Sequence, residues 1–311
     1  MKILGIGTTV VDRIVVMDSY PDVNTKKEIS HSWHQVGGPV PVALSTAAAR
    51  GTKVRLLGRW GNDSDGRYLS ETLSARQFDL RFTKTADNWQ SGNAQVWISQ
   101  NDGSRTIAFS RGVFPPLTSS DITDELLDDC NILHLDGWAA DAAIAAAMKM
   151  KQQNGTVVLD AGSVKPKLDQ LLPYVDVLIA SQLFQDAFWT ARQTEDELCE
   201  GTPADGLVSQ RSNLKKETTK TATDANWATL GIPTVITTHG EQGATLHTNN
   251  GTFIVDSHKV DCVDSNGAGD IFSGAVLHGL VQEWPMRKTV EFANVIAAKS
   301  CTQFGNTPCE P

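Results

Sequence analysis

Six short runs punctuate the chain: "KILGIG", "KVRLLGRWG", "NILHLDG", "TVVLDAG", "DVLIAS" and "TVITTHG". Each ends in glycine or a polar residue. Several are continuously apolar without alternation, the pattern of strands covered on both faces. Helical patterns lie between them. The clearest runs from Ala139 to Gln153, alanine-rich, with Gly155 as its stop signal. Strands alternating with helices imply an α/β fold with a mostly parallel central sheet and helices on both sides. Ligands of such folds gather beyond the carboxyl ends of the strands. Those ends carry Asp136, Asp160 and His239, each of which reads by itself as a loop or capping residue.

Two segments depart from this rhythm. "AQVWISQNDGSRTIAF" alternates around Asn101-Asp102-Gly103, a hairpin signal. "VVDRIVVM" and "KEISHSWHQV" read as strands that follow the first core strand with no helix between. Together they predict a small antiparallel sheet standing off the main body, built from about residues 10–36 and 90–110. It would serve as an edge extension, a lid or a dimer contact. The polar tract from Thr190 to Asp224 lacks periodicity and reads as a loop or insertion.

A formal net charge of -9 argues against nucleic acid or an anionic membrane as partner, since both attract basic surfaces. Any anion must be held locally, by backbone amides or a few cations. Five scattered cysteines without a C-x-x-C pair favour a reduced, cytoplasmic setting over a disulfide framework or zinc site. Asp12 and Arg13 interrupt the apolar N-terminus, which supports neither export nor a membrane span.

The segment "DSNGAGDIFSGAVLHGL", residues 264–280, carries the chemistry. Phe272, Ala275, Val276, Gly279 and Leu280 follow helical spacing, which puts Gly267, Ala268 and Gly269 at a helix N-terminus. Backbone N–H groups there lack partners, and minimal side chains let a phosphate approach them. Asp270 has the wrong sign to bind phosphate, but beside one it could take a proton from an attacking hydroxyl. Spacing alone better fits an acid that stabilises its own helix. "GIGTTV" makes a poor dinucleotide fingerprint because a strand follows it, and no G-x-x-x-x-G-K-[ST] loop occurs.

These residues resemble the ribokinase/PfkB family of carbohydrate kinases. Asp264-Ser265-Asn266-Gly267-Ala268-Gly269-Asp270 is similar to its D-T-x-G-A-G-D signature, "VGGPVPVALSTAAARG" to its double-glycine element, and "TTHGEQGA" to its nucleotide loop. "GRWGNDSDG" is similar to a further family motif, and the N-terminal half resembles the ketohexokinase branch. The resemblance implies one ribokinase-like three-layer domain over residues 1–311 with a discontinuous β lid. It implies Asp270 as general base, with amides of Gly267, Ala268 and Gly269 as the anion hole. Asp12, Gly37, Gly38 and Arg105 would meet the sugar, and Thr238, Gly240, Gly243 and Asn294 the nucleotide. Asn294 also borders the apolar stripe Val290, Ala293, Ala297 and Cys301, which fits a helix-packing amide as well. Asp264 would hold a monovalent cation or brace its turn. ATP, Mg2+ and in some relatives K+ are the implied cofactors, a sugar such as a ketohexose the acceptor, and a homodimer through the lid the implied assembly.

The chain departs from the family at three positions. Val42 stands where an Asn touches the sugar, and Ser181 and Phe184 replace the polar residues of an N-x-x-E element. A nucleoside kinase or a non-catalytic sugar or nucleotide sensor on the same scaffold are the rival expectations.

Overall fold

The computed structural model describes residues 1–101, 104–199 and 227–306. Among these, nine strands form one sheet. Across it they run Gly251–Val255, Ala244–Thr248, Thr234–Thr238, Val177–Ser181, Thr156–Ala161, Ile132–Leu135, Lys2–Ile6, Lys53–Leu57 and Phe78–Asp79. From Thr234–Thr238 to Phe78–Asp79 all neighbours are parallel, and the two strands at the other edge are antiparallel.

Successive strand residues point to opposite faces, and here both faces are covered. Ile3, Val54, Val158 and Ile236 pack with Leu44, Ile271 and Val290 from the helices Pro39–Ala48, Ala268–Val281 and Met286–Ser300. Leu4, Leu133, Leu159 and Val235 pack the other way, against Ala143 and Met150 of the helix Ala140–Gln152 and Phe184 of the helix Gln182–Cys199. This double coverage is why the strand runs read as unbroken apolar stretches. Arg55 is buried between strand and loop, bonded to Asp79 at 2.8 Å and to the Leu126 carbonyl at 2.7 Å.

A second sheet orders His31–Gly37, Val10–Met17, Asn93–Ser99 and Arg105–Ser110, with a small core of Ile14, Val16, Ala94, Val96 and Ile98. It is mixed rather than antiparallel, because Val10–Met17 pairs parallel with Asn93–Ser99. The chain re-enters this sheet after passing through the main one, so the two strands start from the same side. The strand expected over "KEISHSWHQV" begins only at His31. "KVRLLGRWG" splits at Gly58, after which Arg59–Gly61 leaves the main sheet to pair with Lys84–Ala86. The tract expected to be loop from Thr190 is helical through Cys199; its remainder, 200–224, lies outside the described residues, as does the Asp102-Gly103 turn. No helix among the described residues is long and apolar enough to cross a membrane.

Candidate active site

Two helix N-termini meet at the carboxyl end of the sheet. Gly38 caps the helix Pro39–Ala48 with φ 99°, and Gly267 caps Ala268–Val281 with φ 78°, both in the region glycine favours. The helices touch backbone to backbone: a Cβ on Gly274 would lie 2.3 Å from the Ala43 carbonyl oxygen. Val42 is buried under the second tip, with Cγ1 4.0 Å from where a Cβ on Gly267 would sit. Among the described residues no protein acceptor meets the amides of Gly267, Gly269 and Asp270, while that of Ala268 reaches the Ser265 carbonyl at 3.3 Å. A Cβ on Gly269 would meet nothing within 4 Å. The fold therefore does not require glycine there, and an open amide with no side chain is what an approaching phosphate needs.

Asp270 is half-buried in the first turn of this helix and takes part in no hydrogen bond among the described residues. Burial holds its carboxyl well above the usual range, and the charges of Asp160, Asp12 and Asp136 push it further, with Arg105 opposing them. Asp12 and Asp160 are each raised to about 6, chiefly by burial. Asp160 accepts from the Ser273 hydroxyl at 2.8 Å. Asp136 is buried and also raised, its two oxygens accepting from Thr8 N at 2.7 Å and Trp138 N at 3.0 Å. Asp136 and Asp160, which read as loop residues in the sequence, thus act on Asp270. Their signal was their place at strand ends.

Gly37 is required by Asp12: a Cβ would fall 2.1 Å from its Oδ1. Two further polar groups converge on this corner. Gln35 Oε1 accepts from Trp33 Nε1 and from Asn306 N, each at 3.0 Å. Gln35 offsets part of the shift on Asp12, although its buried Nε2 meets no acceptor in strict hydrogen-bond geometry. Asn306 donates Nδ2 to the Val36 carbonyl at 2.7 Å, leaving a buried Oδ1 without a partner among the described residues. Sequence reasoning missed both, and no motif marks them. Arg105 reaches across from the second sheet to Ser265, 3.3 Å from its hydroxyl and 3.4 Å from its carbonyl.

Of the residues expected to meet the nucleotide, Thr238, Gly240 and Gly243 lie at the end of the strand Thr234–Thr238 and in the turn after it. Gly240 has φ 61° and open space around it, whereas a Cβ on Gly243 (φ 90°) would strike the Val255 carbonyl at 2.2 Å. Thr238 Oγ1 leans on the Ala180 carbonyl at 3.5 Å. His239 bridges Gln182 and Thr245, 2.8 Å to each. Asn294 is buried, its Nδ2 given to the carbonyls of Val255 and Asp256 at 3.1 Å each, which commits that group to packing. Asp264 accepts from Asn266 N at 2.8 Å and Gly305 N at 3.0 Å, so both oxygens brace the turn. Ser181 Oγ caps its helix by accepting from Phe184 N at 3.0 Å, and Phe184 is core, its ring 5.4 Å from Phe188.

The model of the pfkB family carbohydrate kinases matches residues 2–311. The chain belongs to the pfkB family. Its carbohydrate kinase relatives include a 5-dehydro-2-deoxygluconokinase of Clostridium botulinum, 22% identical over 94% of this chain and 88% of that one. A deoxyribokinase of Salmonella typhi is 25% identical over 100% of this chain and 96% of its own. The ribokinase of Arabidopsis thaliana, solved with ribose and ATP, has a TM-score of 0.78 at 20% identity, covering 98% and 94%. The fold is ribokinase-like. As a pfkB family member the chain is a sugar kinase, a phosphotransferase with a hydroxyl acceptor and ATP as donor.

Proposed function

We propose that this kinase transfers the γ-phosphoryl group of ATP to a sugar hydroxyl held between the two sheets, with Asp270 as general base. The observation that carries this is the tip of the helix Ala268–Val281, where among the described residues the amides of Gly267 and Gly269 are uncommitted and adjoin a carboxyl that makes no hydrogen bond. The sugar oxygen would attack the γ-phosphorus while its proton passes to Asp270. The bond from that phosphorus to the bridging oxygen would break, and ADP leaves. The amides of Gly267, Ala268 and Gly269 would stabilise the migrating charge as it spreads over the equatorial oxygens. Burial and neighbouring acids raise the Asp270 carboxyl, which makes its ionised form a stronger base than an exposed carboxylate.

Asp12 and Gln35 would bind sugar hydroxyls, with Gly37 and Gly38 letting the backbone come close. Thr238, Gly240 and Gly243 would border the nucleotide. Asn294 would fix the strand end behind adenine. The second sheet would close as a lid, with Arg105 drawn toward the phosphoryl group through Ser265. Among the described residues no group of three or more His, Cys, Asp or Glu is placed to hold a metal. Mg2+ would therefore arrive on the ATP phosphates, neutralising their charge, rather than in a protein cage. The two amides on Asp264 favour turn bracing over K+ binding.

Val42 is buried, so it offers little apolar surface to a nucleobase, and an intact amide tip speaks against a mere sensor. The edge strand Arg105–Ser110 is exposed along its length and carries Ile107 and Phe109, a surface that a second copy would cover. The reduced cysteines suit a cytoplasmic enzyme. A coupled ADP-release assay over ketohexoses, ribose, deoxyribose and adenosine, together with sugar phosphates, sugar acids and a sugar sulfonate, with Asp270→Asn as control, tests the proposal. Sugar-dependent ADP formation abolished in the variant supports it; none with any acceptor overturns it.

A further inference from the structure

Beside the acid cluster lies a cleft of about 380 Å³ whose wall includes Thr8, Arg59, Arg111, Trp138, Asp141 and Lys167. Asp136 joins it to the reaction centre: it holds the amides of Thr8 and Trp138 while its charge acts on Asp270. In a chain of net charge -9, this wall is locally basic. Two of its cations are balanced, Arg59 by Asp121 and Lys167 by Asp141 at 2.6 Å.

Two others are not. The Arg111 guanidinium lies 3.6 Å over the Trp138 ring, and no hydrogen bond or ion pair engages it among the described residues. Lys165 Nζ lies 4.0 Å over the same ring and donates to Ser163 Oγ. Asp136 and Asp160 attract Lys165 at longer range, but no carboxylate lies within salt-bridge distance among the described residues. Burial pushes the Lys165 amine down, and Arg111 pushes it the same way. Arg59 adds a buried Nε without an acceptor among the described residues. Two cations thus share one indole with no directly paired carboxylate among the described residues, and an incoming anion would meet both.

The position suits an acceptor rather than the nucleotide. Arg105 and Arg111 bracket one strand of the second sheet. The first reaches Ser265 beside the amide tip, the second Trp138 in the cleft. Asp270's principal charged neighbours are Asp160, Asp12, Arg105 and Asp136, so the acid end and the basic end of the site are distinct.

We infer that the sugar this kinase phosphorylates carries an anionic substituent (carboxylate, phosphate or sulfonate) that docks at Arg111 and Lys165 while its reacting hydroxyl faces Asp270. The inference rests on the kinase reading for the hydroxyl and on the cleft alone for the anion.

Calorimetric binding to the full chain, with a non-hydrolysable ATP analogue present, separates the two. The probes are D-fructose against D-fructose 6-phosphate, a neutral hexitol against the matching hexonate, and a hexose against its 6-sulfonate; inorganic phosphate is titrated alone. At least one anionic sugar should bind about tenfold or more tightly than its neutral parent. Arg111→Gln and Lys165→Gln should each reduce that ratio about tenfold; Arg111 is exposed, so its variant guards against a folding failure at Lys165. Neutral sugars binding as well as their anionic partners, or a preference that survives both variants, overturns the inference. ADP release on neutral sugars without charge preference refutes it and leaves the kinase reading intact. Anion-selective binding with no ADP release does the reverse.

Discussion

Replacing Asp270 by asparagine should remove activity and raise stability together. Asp12 and Asp160 stand at about 6 against an ordinary 3.8, so each charge is opposed by about 3 kcal/mol at neutral pH. Asp270 is shifted in the same direction by burial and by those neighbours. Its carboxylate makes no hydrogen bond among the described residues, so an amide of the same shape forfeits no bond. The variant should therefore be the more stable at pH 8. With about 2.1 cal/mol/K of unfolding entropy per residue over 311 residues, each kcal/mol of relief raises Tm by about 1.5 °C. The gain should shrink as pH falls through the raised pKa values, because the folded wild type then takes up the proton, and vanish below about pH 4. Over the same range kcat should be about 10²- to 10⁴-fold below wild type, the scale of a lost general base. Scanning calorimetry from pH 4 to 8 and steady-state ADP release read both quantities. Wild-type turnover would refute the base. A lower Tm at pH 8 would show that the carboxylate serves the fold.

Other expectations follow from the same geometry. Gly269→Ala should leave Tm within about 1 °C, since its Cβ meets nothing, yet reduce kcat/KM for ATP at least about tenfold by crowding the amides; unchanged kinetics would clear those amides of a role. Gly37→Ala should instead displace Asp12, whose Oδ1 lies 2.1 Å from the new Cβ, and raise the sugar KM more than the ATP KM. The acid limb of kcat/KM against pH should fall at about 6 or above rather than near 4, given Asp12 and Asp160 at about 6 and Asp270 raised with them; a limb near 4 would contradict the acid cluster. Phe184→Glu restores the acid of the family element but should destabilise by about 3 kcal/mol or more and gain no activity, because it buries an unpaired charge against Phe188; urea unfolding checks this.

What the sequence disclosed was what is local. The strand runs announce the doubly covered sheet because residues facing either side of it are mostly apolar. The G-A-G-D turn discloses its helix because glycine and spacing are enough to define a tip. Gln35 and Asn306 were hidden because they lie 271 residues apart and meet only when the second sheet folds against the last turns of the chain. Asp136 and Asp160 were visible as residues but not as a cluster, since the parallel crossover between their strands sets their spacing in space and leaves no trace in local composition. The mixed pairing of Val10–Met17 with Asn93–Ser99 was misread for the same reason: strand direction depends on where the intervening chain returns.

The departures from the family pattern share one physical logic. At Phe184 a polar position has joined an apolar cluster with Phe188, Trp189 and Trp227, where a carboxylate would need a partner that the cluster cannot supply. At Val42 a polar contact has left the first helix, and the side chain now fills the space beneath Gly267. Polarity has not left the site with it. Among the described residues the buried Gln35 Nε2 faces only the Asp12 carboxyl, outside strict hydrogen-bond geometry, and Asn306 Oδ1 has no partner, a deficit that a ligand at this corner would complete. A substrate that contacts Gln35 touches a strand of the second sheet, whereas one that contacts a residue at position 42 touches only the main body. A sugar bound at Gln35 would thus be read by the second sheet rather than by the first helix.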